Sequence, residues 1–298
     1  MFLYGKNIRH PIEFKREMNH YTDPDGRLWS RRELTALVKE WRVPKPLPRI
    51  QAYGAVDVVR EDEREYGTKS RLLDALMSAT DAREFVFGSA SSTGLGAVAL
   101  ADACRRHHRR CRMFLAKRDP SRFTPEQRRI LDLGTDVTWV PNGMLSVTTA
   151  RARGHAAKRK DRLFLPLGLE HPVVVAAMVK TARTVVRPLK KEPTLVVSVG
   201  SSGVINRGLQ LAFPGARLVF VQTHHIPTDR QRGRADVIIS DVPKGAAAPL
   251  DEQPPFPSVA AWDAKGWIIA TRMAPCLFWN IGTEAACVTP TPSRILRV

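Results

Sequence analysis

The sequence predicts an α/β protein with mostly parallel sheet and helices on both sheet faces. Two observations carry this. Short β-branched or aromatic runs recur along the chain, and segments of helical length and period lie between several of them. In order, the runs are VDVV (56–59), EFVFGS (84–89), CRMFLA (111–116), DVTWV (136–140), TLVVSVG (194–200), RLVFVQ (217–222) and ADVIIS (235–240). The clearest helical segments are SRRELTALVKEW (30–41), where Ser30 can cap, TGLGAVALADACRR (93–106) and PVVVAAMVKTARTV (172–185). The first 45 residues read as a basic, aromatic-sprinkled extension, and KPLPRI (45–50) marks a turn into the core. LDEQPPFPSV (250–259) is a proline-rich connection, and the apolar, Trp-rich stretch after it (260–282) is expected to be ordered. In sheets of this kind ligands sit beyond the carboxyl ends of the strands, so chemistry is expected in loops that leave strands and enter helices.

Composition narrows the classes. At 298 residues, 43% hydrophobic and 26% charged, the chain can bury a sizeable core and is not disordered as a whole. No apolar run approaches the roughly 20 residues a membrane span needs. MFLYGKNIRHPIEF has no signal-peptide h-region, and the four cysteines show no CxxC spacing, so a reducing, cytoplasmic setting is expected. The formal net charge of +18, dominated by arginine, produces a field that attracts polyanions. An arginine-biased, solvated surface would give the same composition.

Three loops carry chemistry. In EDEREYGTKSRLLDALM (61–77), Lys69 stands near a helix start, where the macrodipole disfavours a cation. Partly desolvated there, its pKa would fall and its amine become nucleophilic, as a Schiff base with an aldehyde cofactor requires. The plain alternative is a surface lysine. In FGSASSTGLG (87–96), Ser89, Ser91, Ser92 and Thr93 crowd ahead of Gly94 and a helix, a ready site for carboxylate or phosphate. Ordinary N-capping needs only one of those hydroxyls. In TLVVSVGSSGVINRGL (194–209), a strand runs through Gly200, Ser201, Ser202 and Gly203 into a helix beginning near Val204. No GK[ST] and no GxGxxG is present, so a cup for a single phosphate fits better than a nucleotide loop, with a bare glycine turn as the alternative.

Taken together, VDVVREDEREYGTKSRLLDAL (56–76), GSASSTGLGAVALADA (88–103), LPLGLEHPVVVAAMVKTA (165–182) and VVSVGSSGVINRGL (196–209) follow the order seen in fold type II, tryptophan-synthase-β-like, pyridoxal-phosphate enzymes. The chain is most similar to their aminocyclopropane-carboxylate deaminase and D-cysteine desulfhydrase branch, across roughly Lys45 to Gln222. The resemblance implies two intertwined three-layer α/β domains: a larger cofactor-binding one (46–85 and 166–298) and a smaller one (86–165). It implies that pyridoxal 5′-phosphate is the cofactor and Lys69 the Schiff-base lysine. Gly200, Ser201, Ser202, Gly203 and Val204 would then hold the phosphate. Ser92 would face the cofactor ring, and Ser89, Ser91, Thr93 and Gly94 the substrate carboxylate. Ser91, Ser92 and Thr93 stand where the family has Gly, Asn and His, so reaction type is left open. Asn280 and Thr283 are candidates to face the pyridine nitrogen.

Two basic clusters complete the reading. CRRHHRRCR (104–112) ends a helix, where cations suit the dipole, and its histidines lack metal-ligand spacing. ARARGHAAKRKDR (150–162) places Arg151, Arg153, Lys158, Arg159 and Lys160 in a short span, expected to bind nucleic acid together with the basic segment 31–45, where Trp41 could stack on a base. Three functions follow. The first is a pyridoxal-phosphate lyase, decarboxylating or eliminating at the α-carbon of an amino-acid group borne on DNA; it resembles bacteriophage enzymes that remodel amino-acid groups on thymine and would work in the host cytoplasm. The second is a small-molecule deaminase or desulfhydrase-like lyase. The third is a cofactor-free nucleic-acid-binding descendant. Symmetry favours a homodimer, with no membrane partner.

Overall fold

The computed structural model describes residues 20–89, 94–224 and 226–284. A short antiparallel hairpin opens it, β1 (His20–Thr22) with β2 (Leu28–Ser30), followed by α1 (Arg31–Leu37). Ser30 caps α1 as expected: its hydroxyl accepts from the Glu33 amide while the Glu33 carboxylate accepts from the Ser30 amide. The part of the N-terminal extension described is therefore packed structure. Tyr21 is buried and its hydroxyl donates to Glu170 at 2.8 Å.

Two sheets form the body. The larger has six strands in the order β11 (Asp236–Ile239), β10 (Arg217–Gln222), β9 (Leu195–Gly200), β12 (Cys276–Asn280), β4 (Val56–Arg60) and β3 (Ile50–Tyr53). All its pairings are parallel except the edge pair β3–β4. The smaller is wholly parallel, in the order β7 (Asp136–Val140), β6 (Arg110–Ala116), β5 (Glu84–Ser89) and β8 (Arg162–Leu165). The seven strands read from the sequence are all present. The sequence reading missed β3, β8 and β12, and with them the β1–β2 hairpin. β12 is the most consequential, because the Trp-rich stretch supplies a fully buried strand to the middle of the larger sheet.

Helices lie on both sides of each sheet, as strand–helix alternation requires. On the larger sheet, α9 (Asp263–Arg272) packs one face through Ile269 and Ala270 against Val197, Val199, Val219 and Phe278. The main core, on the other side, includes α2 (Gly67–Ala79), α6 (Pro172–Val186) and α7 (Val204–Ala212). α3 (Leu95–Arg106) joins that core and reaches the smaller sheet, whose second face is covered by α5 (Leu145–Ala156) through Ala152 and Ala156. Ridges this apolar bury on the order of 2 kcal/mol per large side chain, which holds the two sheets as one body. Among the described residues no helix is long and apolar enough to cross a membrane.

Candidate active site

A turn with two consecutive left-handed residues, Tyr66 (φ 56°) and Gly67 (φ 59°), throws the chain from the acidic segment 61–65 into α2. Only glycine fits at 67: a Cβ there would strike the carbonyl oxygen of Ile281, just past β12. The same contact is used attractively one residue later. The Thr68 amide donates to Ile281 O at 2.8 Å, and the Trp279 indole donates to Thr68 Oγ1 at 3.0 Å. Below the turn, Arg71 (1% exposed) bonds Glu61 (0% exposed) at 3.0 Å and also reaches the carbonyls of Pro44 and Pro46. This buried pair holds the start of α2 in place. Removing one partner would strand a buried charge, at a cost of about 3–5 kcal/mol.

So braced, the first turn of α2 delivers Lys69 into a cavity of about 650 Å³ at the carboxyl ends of both sheets. That volume falls in the roughly 300–1,000 Å³ range of small-molecule sites. Ser89 at the end of β5, Gly94 ahead of α3, and the whole segment Gly200–Val204 line the same cavity. The fold thus brings together Lys69, Ser89, Gly94 and the glycine cup, as the sequence grouped them. Ser91, Ser92 and Thr93 lie outside the described residues.

The cup has the form a phosphate needs. β9 ends at Gly200 and α7 begins at Val204, so amides of the first turn are free of helical partners, at the positive end of the dipole. Gly203 has φ 75°, and a Cβ on it would run into the backbone of Gln231; a Cβ on Gly168 would run into the Ser202 side chain. The loop is therefore bare backbone with hydroxyls. Lys69 has no hydrogen-bond partner among the described residues, and burial lowers its pKa, partly opposed by Asp263. An unpaired, desolvated amine facing an anion cup fits pyridoxal phosphate, which needs one amine for its aldehyde and one site for its phosphate.

Asp263 was missed by the sequence reading. It opens α9, lines the cavity, is 2% exposed, and its Oδ1 has no hydrogen-bond partner among the described residues. Burial pushes its pKa up to about 8, against a hydrogen bond from the Ile281 amide and the charge of Lys69, while Asp62 adds to the rise. A lone Asp inside an apolar tail carries no motif, so only proximity to Lys69 gives it meaning. Between the ordinary value of 3.8 and about 8 the folded protein holds a proton that the unfolded chain has lost. The contribution of this group to stability therefore falls as pH rises through that window. Asp263→Asn is expected to unfold at a higher temperature than wild type by an amount that grows from nothing near pH 4 to a plateau above pH 8. At pH 7 the gain should be about 4 kcal/mol, at about 1.4 kcal/mol per pKa unit. Melting curves across that range check this, and a constant offset at every pH would refute it.

Other candidates take structural roles. The Asn280 amide donates to Asp62 at 2.7 Å and to the Pro257 carbonyl at 3.0 Å, and its oxygen accepts from Ser258 at 3.0 Å, so its side chain is fully engaged. Arg106 and His107, at the end of α3, bond Asp74. Trp41 is half-buried and packs against the main core. The basic run lies away from the cavity. α5 starts at the cavity with Leu145 and ends at Ala156, and His155 beyond its middle bonds Glu84, the first residue of β5, at 2.6 Å. Ser89, at the other end of β5, lines the cavity, and six residues of strand span about 17 Å. Arg151, Arg153, Lys158, Arg159 and Lys160 are all exposed; Arg159 pairs with Asp161 at 2.8 Å and Arg153 lies over Phe164. Lys158–Lys160 therefore sit at the amino-terminal edge of the smaller sheet, opposite the cavity.

Comparison with known proteins bears on the fold and the family. No curated protein matches the sequence. Solved structures share the fold at low identity. An ACC deaminase homologue superposes with a TM-score of 0.65 at 13% identity, over 84% of this chain and 94% of that one. Threonine deaminase isoform 2 from Solanum lycopersicum gives 0.62 at 13% identity, over 89% and 92%. Escherichia coli diaminopropionate ammonia lyase gives 0.59 at 13%, over 85% and 87%. The family model "Pyridoxal-phosphate dependent enzyme" matches residues 65–266, which spans the turn before Lys69, the glycine cup and Asp263. With an amine, an anion cup and that match falling on one cavity, the chain belongs to the pyridoxal-phosphate dependent enzyme family.

Proposed function

We propose that this enzyme breaks a bond at the α-carbon of an amino-acid group, by decarboxylation or by elimination, and that the group is carried on a larger substrate, an amino-acid-modified pyrimidine of phage DNA. The observation that carries the α-carbon reading is that Lys69 and the Gly200–Val204 cup line one cavity. When bound, pyridoxal phosphate supplies an aldehyde for amines and an electron sink for the pair left at carbon when a bond breaks. The remaining work falls to this chain. The amides at the start of α7 and the hydroxyls of Ser201 and Ser202 hold a phosphate and so fix the register of everything beyond it. Lys69, whose charged form is disfavoured by burial, would hold the cofactor through its amine and would be the group placed to take or return a proton at the α-carbon. Asp263, protonated below about pH 8, presents a carboxyl group able to donate a hydrogen bond to a group bound in the cavity. Leu72, Phe87, Ile130 and Val174 line the cavity and exclude water that would compete for those protons.

Two things support the reading. Proteins sharing the fold are described as deaminases, ammonia lyases and serine racemases, all amino-acid enzymes. The +18 charge favours a polyanionic carrier. A second reading, a lyase for a free amino acid, is favoured by the position of the basic run far from the cavity. The enzyme is expected to act as a homodimer. The test incubates the holoenzyme with free amino acids and, separately, with DNA carrying an aminoacylated pyrimidine, and follows nucleosides and released products by mass spectrometry. Faster conversion of the DNA-borne group is expected. Faster turnover of a free amino acid would select the second reading, and inertness toward both would defeat α-carbon chemistry.

A further inference from the structure

The cavity has cations of its own. Arg118 follows β6 in the smaller sheet and Lys244 follows β11 in the larger, and both line the cavity. Neither has a hydrogen-bond or ion-pair partner among the described residues. By contrast Arg112, Arg159 and Arg217 are each paired with an aspartate, Asp136, Asp161 and Asp236. An arginine and a lysine unpaired among the described residues, contributed from two sheets to one cavity, are available to an anion brought into it.

An aromatic wall adjoins them. His224 stacks on Trp262 with ring centroids 3.8 Å apart and planes within 10°, and both line the cavity. Trp262 stands 3.7 Å from where a Cβ on Gly94 would lie, next to the loop entering α3. Its indole Nε1 is buried without a hydrogen-bond partner among the described residues. The neighbouring surface is apolar: Leu145 lines the cavity and is partly exposed, Met144 beside it is 63% exposed, and Ile226, two residues past His224, is 64% exposed. A free small amino acid has no use for a flat aromatic wall, an unpaired indole donor and two cations beyond a cofactor. A nucleotide uses all of them, since its base is planar with acceptors on its edge and its phosphate is anionic.

We propose that the mouth of this cavity is a nucleotide-docking surface, with the substrate phosphate taken by Arg118 and Lys244 and its base against the His224–Trp262 wall. This deepens the proposed function and rests on it for the chemistry at the α-carbon. It moves the specific phosphate contacts to the cavity and leaves the Arg151–Lys160 run only a long-range, nonspecific role.

The test uses holoenzyme and two probes, a fluorescein-labelled single-stranded thymidine oligonucleotide and thymidine 5′-monophosphate as competitor. The double variant Arg118→Gln, Lys244→Gln is expected to bind the oligonucleotide about tenfold more weakly, with a salt slope shallower by about 0.7 for each lost contact. The triple variant Arg151→Gln, Arg153→Gln, Lys158→Gln should stay within about twofold of wild type at physiological salt. Cofactor absorbance, unchanged in both variants, shows the site intact. If the monophosphate binds in an Arg118- and Lys244-dependent way while the strand does not, the docking surface stands and the DNA-borne reading fails. Equal binding by wild type and the double variant, loss confined to the triple variant, or no binding of either probe by wild type overturns the docking surface. Failure of the protein to take up pyridoxal phosphate would instead sink the enzymatic reading.

Discussion

Lys69→Ala is expected to lose turnover by about three orders of magnitude or more while unfolding at or slightly above the wild-type temperature. Residues acting as nucleophile and base in covalent catalysis carry effects of this size, because no neighbour replaces both roles. Lys265 is buried outside the cavity lining and bonds the Pro243 carbonyl, and Lys244, which lines the cavity, is solvent-exposed, so neither is placed to substitute. Stability is expected to hold because Lys69 makes no hydrogen bond among the described residues and its charged form is penalised by burial. Borohydride reduction of wild-type holoenzyme followed by peptide mapping should place the cofactor on Lys69. A label on another lysine, or retained turnover in the alanine variant, would remove Lys69 from the centre of the site.

Gly203→Val should abolish cofactor retention while Gly200→Val only weakens it. The two glycines look alike in sequence, yet their surroundings differ. Gly203 has φ 75°, which a β-branched residue adopts at a cost of about 1–3 kcal/mol, and its Cβ would also collide with the Gln231 backbone. Relief requires moving the start of α7, and with it the amides aimed at the phosphate. Gly200 has ordinary backbone angles, and its Cβ would meet only the Phe220 ring at 3.2 Å, a side chain able to shift. Equilibrium dialysis of pyridoxal phosphate against both variants measures the difference. Equal affinities in the two would mean that the phosphate is held elsewhere.

How legible each part was follows from how local its cause is. β5, β9 and β10 were plain in the sequence because strands buried on both faces read as unbroken apolar runs. β8, RLFL, is only four residues long with a charged start, and β3, IQAY, is an equally short, half-exposed edge strand; neither is long enough to show a periodicity. β12 was hidden because CLFWN, between a proline and a glycine turn, is too short to tell from any apolar tail. The ARARGHAAKRKDR cluster read as one basic face because composition carries no direction. The fold splits it at Ala156, where α5 ends, and turns its lysines toward the far edge of the sheet.

The family resemblance grouped a lysine at one helix start with a glycine cup at another; sequence alone determined the α/β class and the three strand-to-helix loops. Each depends on local propensities: apolar periodicity, glycine in left-handed turns, and hydroxyls ahead of helices. Tertiary structure decided what those loops face. Lys69 became a desolvated amine because β12 and α9 close around it, and Asp263 became an acid of about pKa 8 by the same burial. Arg118 and Lys244 gained a shared opening because β6 and β11, in separate sheets, end at one cavity. Desolvation and proximity across long sequence separations have no signature in a linear chain, since the groups that create them become neighbours only when the sheets pack.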